Sequence, residues 1–262
     1  NRLRMAYTQL NPHVTPSAQM EEISRESSHY LLTVSAGKAD KYRNAQLEDY
    51  AQLTRGRFPH RSPTTLSLSA RTSSKNIPGT WGFGLWNDPF GLSIGYGGKP
   101  LRLPALPNAV WFFGASEENY LSFKSGPDTA SPTRPTAVNG FIAQSFRAPK
   151  FHPLLVLAGL ALPFSRKVTR RLMSKVIAED GVELSVAPTD WHRYGFEWRE
   201  KRVLFEVDDV QVFESDVSSN PPLGLVIWID NQYAAFTPEG KIGFGVLENP
   251  EPAWLEVKDI EI

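Results

Sequence analysis

Carboxylates, amides and aromatic rings are the groups left to do chemistry in this chain, because the sulfur and imidazole options are closed. The 262 residues include no cysteine, which excludes disulfides and thiolate-held zinc or iron–sulfur centres. The five histidines are His13, His29, His60, His152 and His192, and none pairs with another at a metal-ligand spacing. No G-x-S-x-G or P-loop occurs. Gly82-Phe83-Gly84 reads as strand, and Gly95-Tyr96-Gly97-Gly98 reads as a loop with no helix pattern behind it, so neither cradles a phosphate. No metal and no cofactor is expected. What remains is Asp230, at the end of the apolar run Leu223–Asp230. A single carboxyl can give or take a proton, so Asp230 is the candidate catalytic acid or base. Its position also suits the opening of a turn.

Around Asp230 the candidate ligand groups are aromatic and amide side chains. Strict alternation puts Trp81, Phe83 and Leu85 on one face of a strand and Gly82, Gly84 and Trp86 on the other. By the same rule Leu225, Ile227 and Ile229 point inward, and Val226, Trp228 and Asp230 point outward. Trp111 and Phe113, or Phe112, add aromatic surface. The candidate ligand-binding set is Trp86, Asn87, Trp111, Phe113, Tyr120, Trp228, Asn231, Gln232 and Tyr233. Aromatic walls with a few polar groups are the usual form of a small-molecule pocket. Stacking rings beside Asp and Asn suit a carbohydrate; more apolar walls suit a lipid, polyene or terpenoid. Rings on strands also serve plain packing.

One segment breaks this pattern. Residues 150–180 hold an apolar run, Leu154–Leu162, then a basic stretch in which Ser165 is a good N-cap for a helix over 166–178. Val168, Leu172 and Val176 form its apolar stripe, and Arg166, Lys167, Arg170, Arg171 and Lys175 cover much of the rest. Gly159 argues against helix in the apolar run. This segment is a candidate membrane-contacting or lid element, with Leu154, Leu155 and Leu157 as the apolar plug and those five cations around it. Nine apolar residues cannot cross a bilayer, which needs about 20 in a helix.

Charge follows the same division. The chain carries 28 basic and 28 acidic groups, yet residues 129–178 hold 8 basic and no acidic ones, and residues 179–262 hold 6 basic and 18 acidic ones. A zero total excludes a uniformly basic nucleic-acid binder. A local cationic face remains open to an anionic membrane surface, or the opposed segments neutralise each other. A hydrophobic content of 41% excludes wholesale disorder. No signal or transmembrane segment is visible, so a soluble or peripheral membrane protein is expected.

The elements that must position these groups read as short strands separated by Gly, Pro, Asn and Asp. The expected strands are 30–35, 65–71, 80–87, 109–113, 119–124, 139–147, 192–199, 202–207, 210–214, 223–230 and 254–262, with Asp208-Asp209 as a hairpin tip. Residues 1–28 read as an N-terminal arm. Residues 29–262 read as one β-sandwich domain with a helical insertion at about 150–180, and the stretches 58–64 and 126–136 read as loops.

The strands 79–88 (GTWGFGLWND), 191–212 (WHRYGFEWREKRVLFEVDDVQV), 222–231 (PLGLVIWIDN) and 254–262 (WLEVKDIEI) resemble the laminarinase-type family 16 glycoside hydrolases. The resemblance runs from about Tyr42 to Ile262. It implies an all-β fold, a concanavalin A-like jelly-roll β-sandwich with a ligand cleft on its concave face. It also implies a strand bearing Glu-x-Asp-x-x-Glu, since a retaining glycosidase needs two carboxyls about 5–5.5 Å apart. Here the corresponding strand is Asn108–Phe113, without a carboxylate in either register, and Glu117 and Glu118 are adjacent loop residues. The expectation is therefore a jelly roll without the family's hydrolytic mechanism. Three readings follow: a non-hydrolytic isomerase, cyclase or hydratase acting on a largely apolar small molecule through Asp230; a lectin-like carbohydrate-binding module; or a peripheral membrane interaction protein acting through 153–178. His192 is expected to be a hydrogen-bonded strand residue.

Overall fold

Two opposed parities decide the architecture: one row of alternating side chains in each strand faces a shared core, and the other faces out. The computed structural model describes residues 10–89, 105–123, 139–150 and 153–262. Sheet A has seven strands in the order β1 (Asn11–Val14), β4 (Asn44–Glu48), β13 (Gly224–Asp230), β6 (Thr80–Trp86), β7 (Ala109–Ala115), β8 (Gly140–Arg147) and β9 (Ala178–Glu183). Sheet B has seven in the order β12 (Val210–Ser215), β11 (Val203–Val207), β10 (His192–Trp198), β5 (Thr64–Thr72), β16 (Ala253–Glu261), β3 (His29–Val34) and β2 (Ala18–Ser24). All pairings within the two sheets are antiparallel. The two sheets form an antiparallel jelly-roll β-sandwich. A separate hairpin, β14 (Gln232–Phe236) with β15 (Ile242–Val246), follows β13.

The core between the sheets is the one alternation predicts. Trp81, Phe83 and Leu85 of β6 meet Leu225, Ile227 and Ile229 of β13, and Leu66 and Leu68 of β5 meet Tyr194 and Phe196 of β10. Asp208 and Asp209 both take positive φ, 52° and 62°, which is the geometry of a two-residue hairpin between right-twisted strands.

Several expectations need correction. Residues 11–14 and 18–24 are not an arm but the strands β1 and β2, at one edge of each sheet. An edge strand exposes one backbone side, so it tolerates Pro12 and polar side chains that hide its pattern. Residues 119–124 form no strand in their described part; Tyr120 makes an isolated bridge to Ala235. The apolar run is helix α1 (Pro153–Ala161) despite Gly159, and α2 (Arg166–Val176) follows it. Ser165 caps α2 as expected, accepting from the Val168 amide. The loops at 95–98 and 126–136, His152 and the Leu155 side chain lie outside the described residues.

Candidate functional site

The outward face of sheet A carries the candidate residues, and strand register sets their layout. Glu48, Val226, Gly84, Trp111, Gln144 and Gly181 form one row across β4, β13, β6, β7, β8 and β9. Gln46, Trp228, Gly82, Phe113 and Ile142 form the next. Trp111 and Phe113 are thus the β7 side chains on this face, and Phe112 belongs to the core between the sheets.

The sequence set brings together one real cluster. Trp86 and Trp228 stack with planes 5° apart at 6.2 Å; Trp111 and Phe113 lie 5.7 and 5.2 Å from Trp228. The space expected above the glycines is filled by these rings: a Cβ on Gly82 would stand 2.8 Å from the Trp228 ring. Trp111, Phe113 and Trp228 are each only 6% exposed. Leu53, Leu106, Leu121, Phe123 and Met173 close over them as a second apolar cluster. Every indole N–H here is used inside the protein: Trp111 donates to Gln144 Oε1 at 3.2 Å, Trp228 to Thr80 Oγ1 at 3.0 Å and Trp86 to Tyr50 Oη at 2.6 Å. Three of the four rings are therefore floor rather than open wall; Trp86 remains half-buried at the rim.

Asp230 and its neighbours stand at the far end of β13. The carboxylate is 6% exposed and accepts from Thr80 Oγ1 at 2.7 Å, Tyr42 Oη at 3.1 Å and the Gln232 amide at 3.2 Å. Burial pushes its pKa from 3.8 up to about 6, against the pull of those hydrogen bonds. Asn231 is fully buried and acts as a bracket: its side chain accepts from the Arg43 amide and donates to the Lys41 and Leu247 carbonyls. Asn87 does the same for the 106–108 segment. Tyr120, Gln232 and Tyr233 gather around β14, away from Trp86. His192 bonds Asp208 at 2.6 Å, as a strand residue should.

The sequence reading missed β4 altogether, and β4 supplies the polar rim. Gln46 donates to Glu48 at 2.7 Å, and the Tyr50 hydroxyl bonds Glu48 as well as receiving the Trp86 N–H. Burial, then the charges of Glu48 and Asp88, hold the Tyr50 hydroxyl far above its ordinary pKa, so it keeps its proton and donates. The signal was available: Asn44, Gln46 and Glu48 alternate with Ala45 and Leu47.

Glu48, Asp230 and Glu179, three carboxylates of this face, stand apart from one another. Glu48 and Asp230 lie on neighbouring strands four residues out of register, which sets their Cα atoms about 14 Å apart at standard strand spacings, and each carboxylate is held by its own local partners. Glu179 is across the sheet on β9, buried, taking the Ser122 hydroxyl and the Phe123 amide. Glycosidase carboxyls stand about 5–9.5 Å apart.

The insertion docks on this face with an unexpected side. Thr169, Arg170 and Val176 are buried, whereas Val168, expected in the apolar stripe, is 48% exposed. Arg170, expected among the surface cations, is 2% exposed. Its Nε donates to the Phe236 carbonyl and its Nη2 to the Ser122 carbonyl, both at 2.7 Å, and its guanidinium lies 5.4 Å from the Tyr120 ring. A buried guanidinium is tolerable because its planar fork meets two backbone acceptors. Arg166, Lys167, Arg171 and Lys175 stay exposed.

No protein-family model matches the chain, and no curated protein matches it. Solved structures do. The chain is similar in fold to family 16 glycoside hydrolases. A family 16 endo-glucanase from Bacteroides ovatus is 9% identical, with 98% of this chain and 96% of that one covered and a TM-score of 0.49. A laminarinase catalytic domain from Thermotoga petrophila is 9% identical over 98% and 92%, at 0.47. A lichenase from a mouse hindgut metagenome is 10% identical over 96% of each chain, at 0.43. No helix among the described residues is long and apolar enough to cross a membrane.

Proposed function

We propose that this jelly roll is a carbohydrate-binding protein that does not hydrolyse its ligand and that holds a sugar at the β4 rim of sheet A. The observation that carries the reading is the half-buried Trp86, stacked on Trp228 and joined through Tyr50 to Glu48 and Gln46. A flat apolar ring beside hydrogen-bonding groups suits the two kinds of surface a sugar presents. Asp88, in the turn after β6, adds charge near Tyr50. The separation of Glu48 from Asp230 argues against a two-carboxylate mechanism on the strands.

Glycan-array binding tests the proposal, with Trp86→Ala and Gln46→Ala as variants and reducing-end release measured on any glycan that binds. Retention of a glycan by the wild type, weakened by both variants and without new reducing ends, is the expected result. An array with no binder, or binding that both variants preserve, would overturn it.

A second reading has one observation in its favour. The Asp230 pKa of about 6 suits a proton donor or acceptor for isomerase-type chemistry on an apolar ligand. It ranks below the first because Tyr42 and Thr80 enclose the carboxylate, and the aromatic face beside it is already filled by side chains.

A further inference from the structure

The helical insertion ends in an apolar tip that no described part of the fold covers. On α1, Leu157 is 53% exposed and Leu160 65%; in the turn between α1 and α2, Leu162 is 43% exposed and Phe164 90%; and Val168 on α2 continues the patch. Single exposed apolar residues are ordinary. Five within twelve positions, including an almost wholly exposed phenylalanine in an interhelical turn, are not. The docked side of α2 is already accounted for by Thr169, Arg170, Met173 and Val176, so this tip is the side left over.

Charge decides what fits it. Arg166, Lys167, Arg171 and Lys175 are exposed on the same helix, and residues 129–178 contain no acid. The turn of the β14–β15 hairpin adjoins α2, with Gly240 against Arg166 and Lys167. It brings Lys241 and one acid, Glu239, which lies within the field of Lys167 and Lys241. An apolar tip ringed by cations complements a surface that is apolar beneath an anionic layer. From this we infer that the α1–α2 tip docks on an anionic phospholipid bilayer, with Phe164 and Leu160 entering the acyl boundary and Arg166, Lys167 and Arg171 meeting headgroups. Helix α1 is nine residues long, so the contact lies in the interface and does not span. Arg170 takes no part, because its guanidinium is held inside.

The test is co-sedimentation of the whole chain with two kinds of vesicle, phosphatidylcholine alone and three parts phosphatidylcholine to one part phosphatidylserine, at low and at physiological salt. Binding only to the serine-containing vesicles, weakened by salt, is expected. Phe164→Glu and the combined Arg166→Glu, Lys167→Glu, Arg171→Glu variant should each lower partitioning by about tenfold or more. These side chains are exposed, so both variants should keep the wild-type circular dichroism and melting curve. No sedimentation with anionic vesicles at low salt would overturn the inference. So would equal sedimentation with both vesicle types, or binding unchanged in both variants. A dimer in light scattering that Phe164→Glu abolishes would also overturn it, by assigning the tip to a second copy of the chain.

Discussion

Trp86 and Trp228 stack in parallel although neither stands opposite the other in the sheet. Trp86 pairs with Gly224 and Trp228 pairs with Gly82. The pair between them on their face is Gly84 and Val226. Two large rings can lean toward each other along this diagonal because three of the four residues they lean across, Gly82, Gly84 and Gly224, have no side chain. The stack is thus written jointly by the tryptophans and the glycines, and it leaves a half-buried aromatic face at the β4 rim.

Gly82→Ala should therefore damage the site without changing a polar side chain. Its Cβ would stand 2.4 Å from the Phe112 carbonyl and 2.8 Å from the Trp228 ring. The carbonyl belongs to a central strand and cannot yield easily. Denaturant unfolding should register a loss of about 1–3 kcal/mol, the range for overpacking. An unchanged midpoint would mean that the rings do not need that floor.

These glycines also mark how far the sequence could be read. Parity in β6 and β13 assigns each side chain to the core or to the outer face, because period-two alternation is local and the apolar row is uninterrupted. The same parity cannot say whether glycine leaves open space or makes room for a ring from the neighbouring strand; that depends on a diagonal contact between Gly82 and Trp228. Arg170 escaped the sequence for a similar reason. Two of the groups it serves, the carbonyls of Ser122 and Phe236, carry no side-chain signature, so a helical arginine reads as solvent-facing. The edge strands β1 and β2 were hidden because only their alternate residues, such as Ala18 and Met20, reach the core.

Arg170 should be required for the insertion to stay docked. Arg170→Met keeps the apolar stem but leaves the Phe236 and Ser122 carbonyls without these donors, at a cost of about 2 kcal/mol or more. Arg170→Lys should rescue little, since an ammonium cannot reproduce the fork that serves both carbonyls. Limited proteolysis between α1 and α2 should accelerate in both variants. Arg171→Met, on the exposed side, is the control and should behave as wild type; equal effects of Arg170→Met and Arg171→Met would refute the buried role.

Asp230 should give the protein a pH signature of unusual sign. Its native pKa is raised by burial to about 6, from 3.8, so between these values the folded state binds more protons than the unfolded one. Its contribution to stability is greatest below about pH 4 and is lost as pH rises through about 6. Asp230→Asn does not titrate. The stability of wild type relative to Asp230→Asn should fall across that window by an amount on the order of 2–3 kcal/mol. Unfolding curves at a series of pH values measure it, and a difference that grows with pH would contradict the raised pKa.

The Trp86–Tyr50–Glu48 relay should act as a unit. Tyr50 accepts the indole N–H at 2.6 Å and gives its own proton toward Glu48, so one hydroxyl joins half-buried Trp86 to buried Glu48. Tyr50→Phe removes these bonds and the longer one from Gln46 at 3.5 Å, and should cost about 2–3 kcal/mol, the penalty for depriving polar groups of partners. Glu48→Gln keeps an acceptor for Tyr50 and for Gln46 and should cost less. Once Tyr50 is phenylalanine, the change at Glu48 should matter less again, because the charge has lost its donor. A double-mutant cycle should then return a coupling of about 1 kcal/mol or more. Strict additivity would mean that the hydroxyl and the carboxylate stabilise the rim independently, and the polar edge beside Trp86 would no longer be a single preorganised surface.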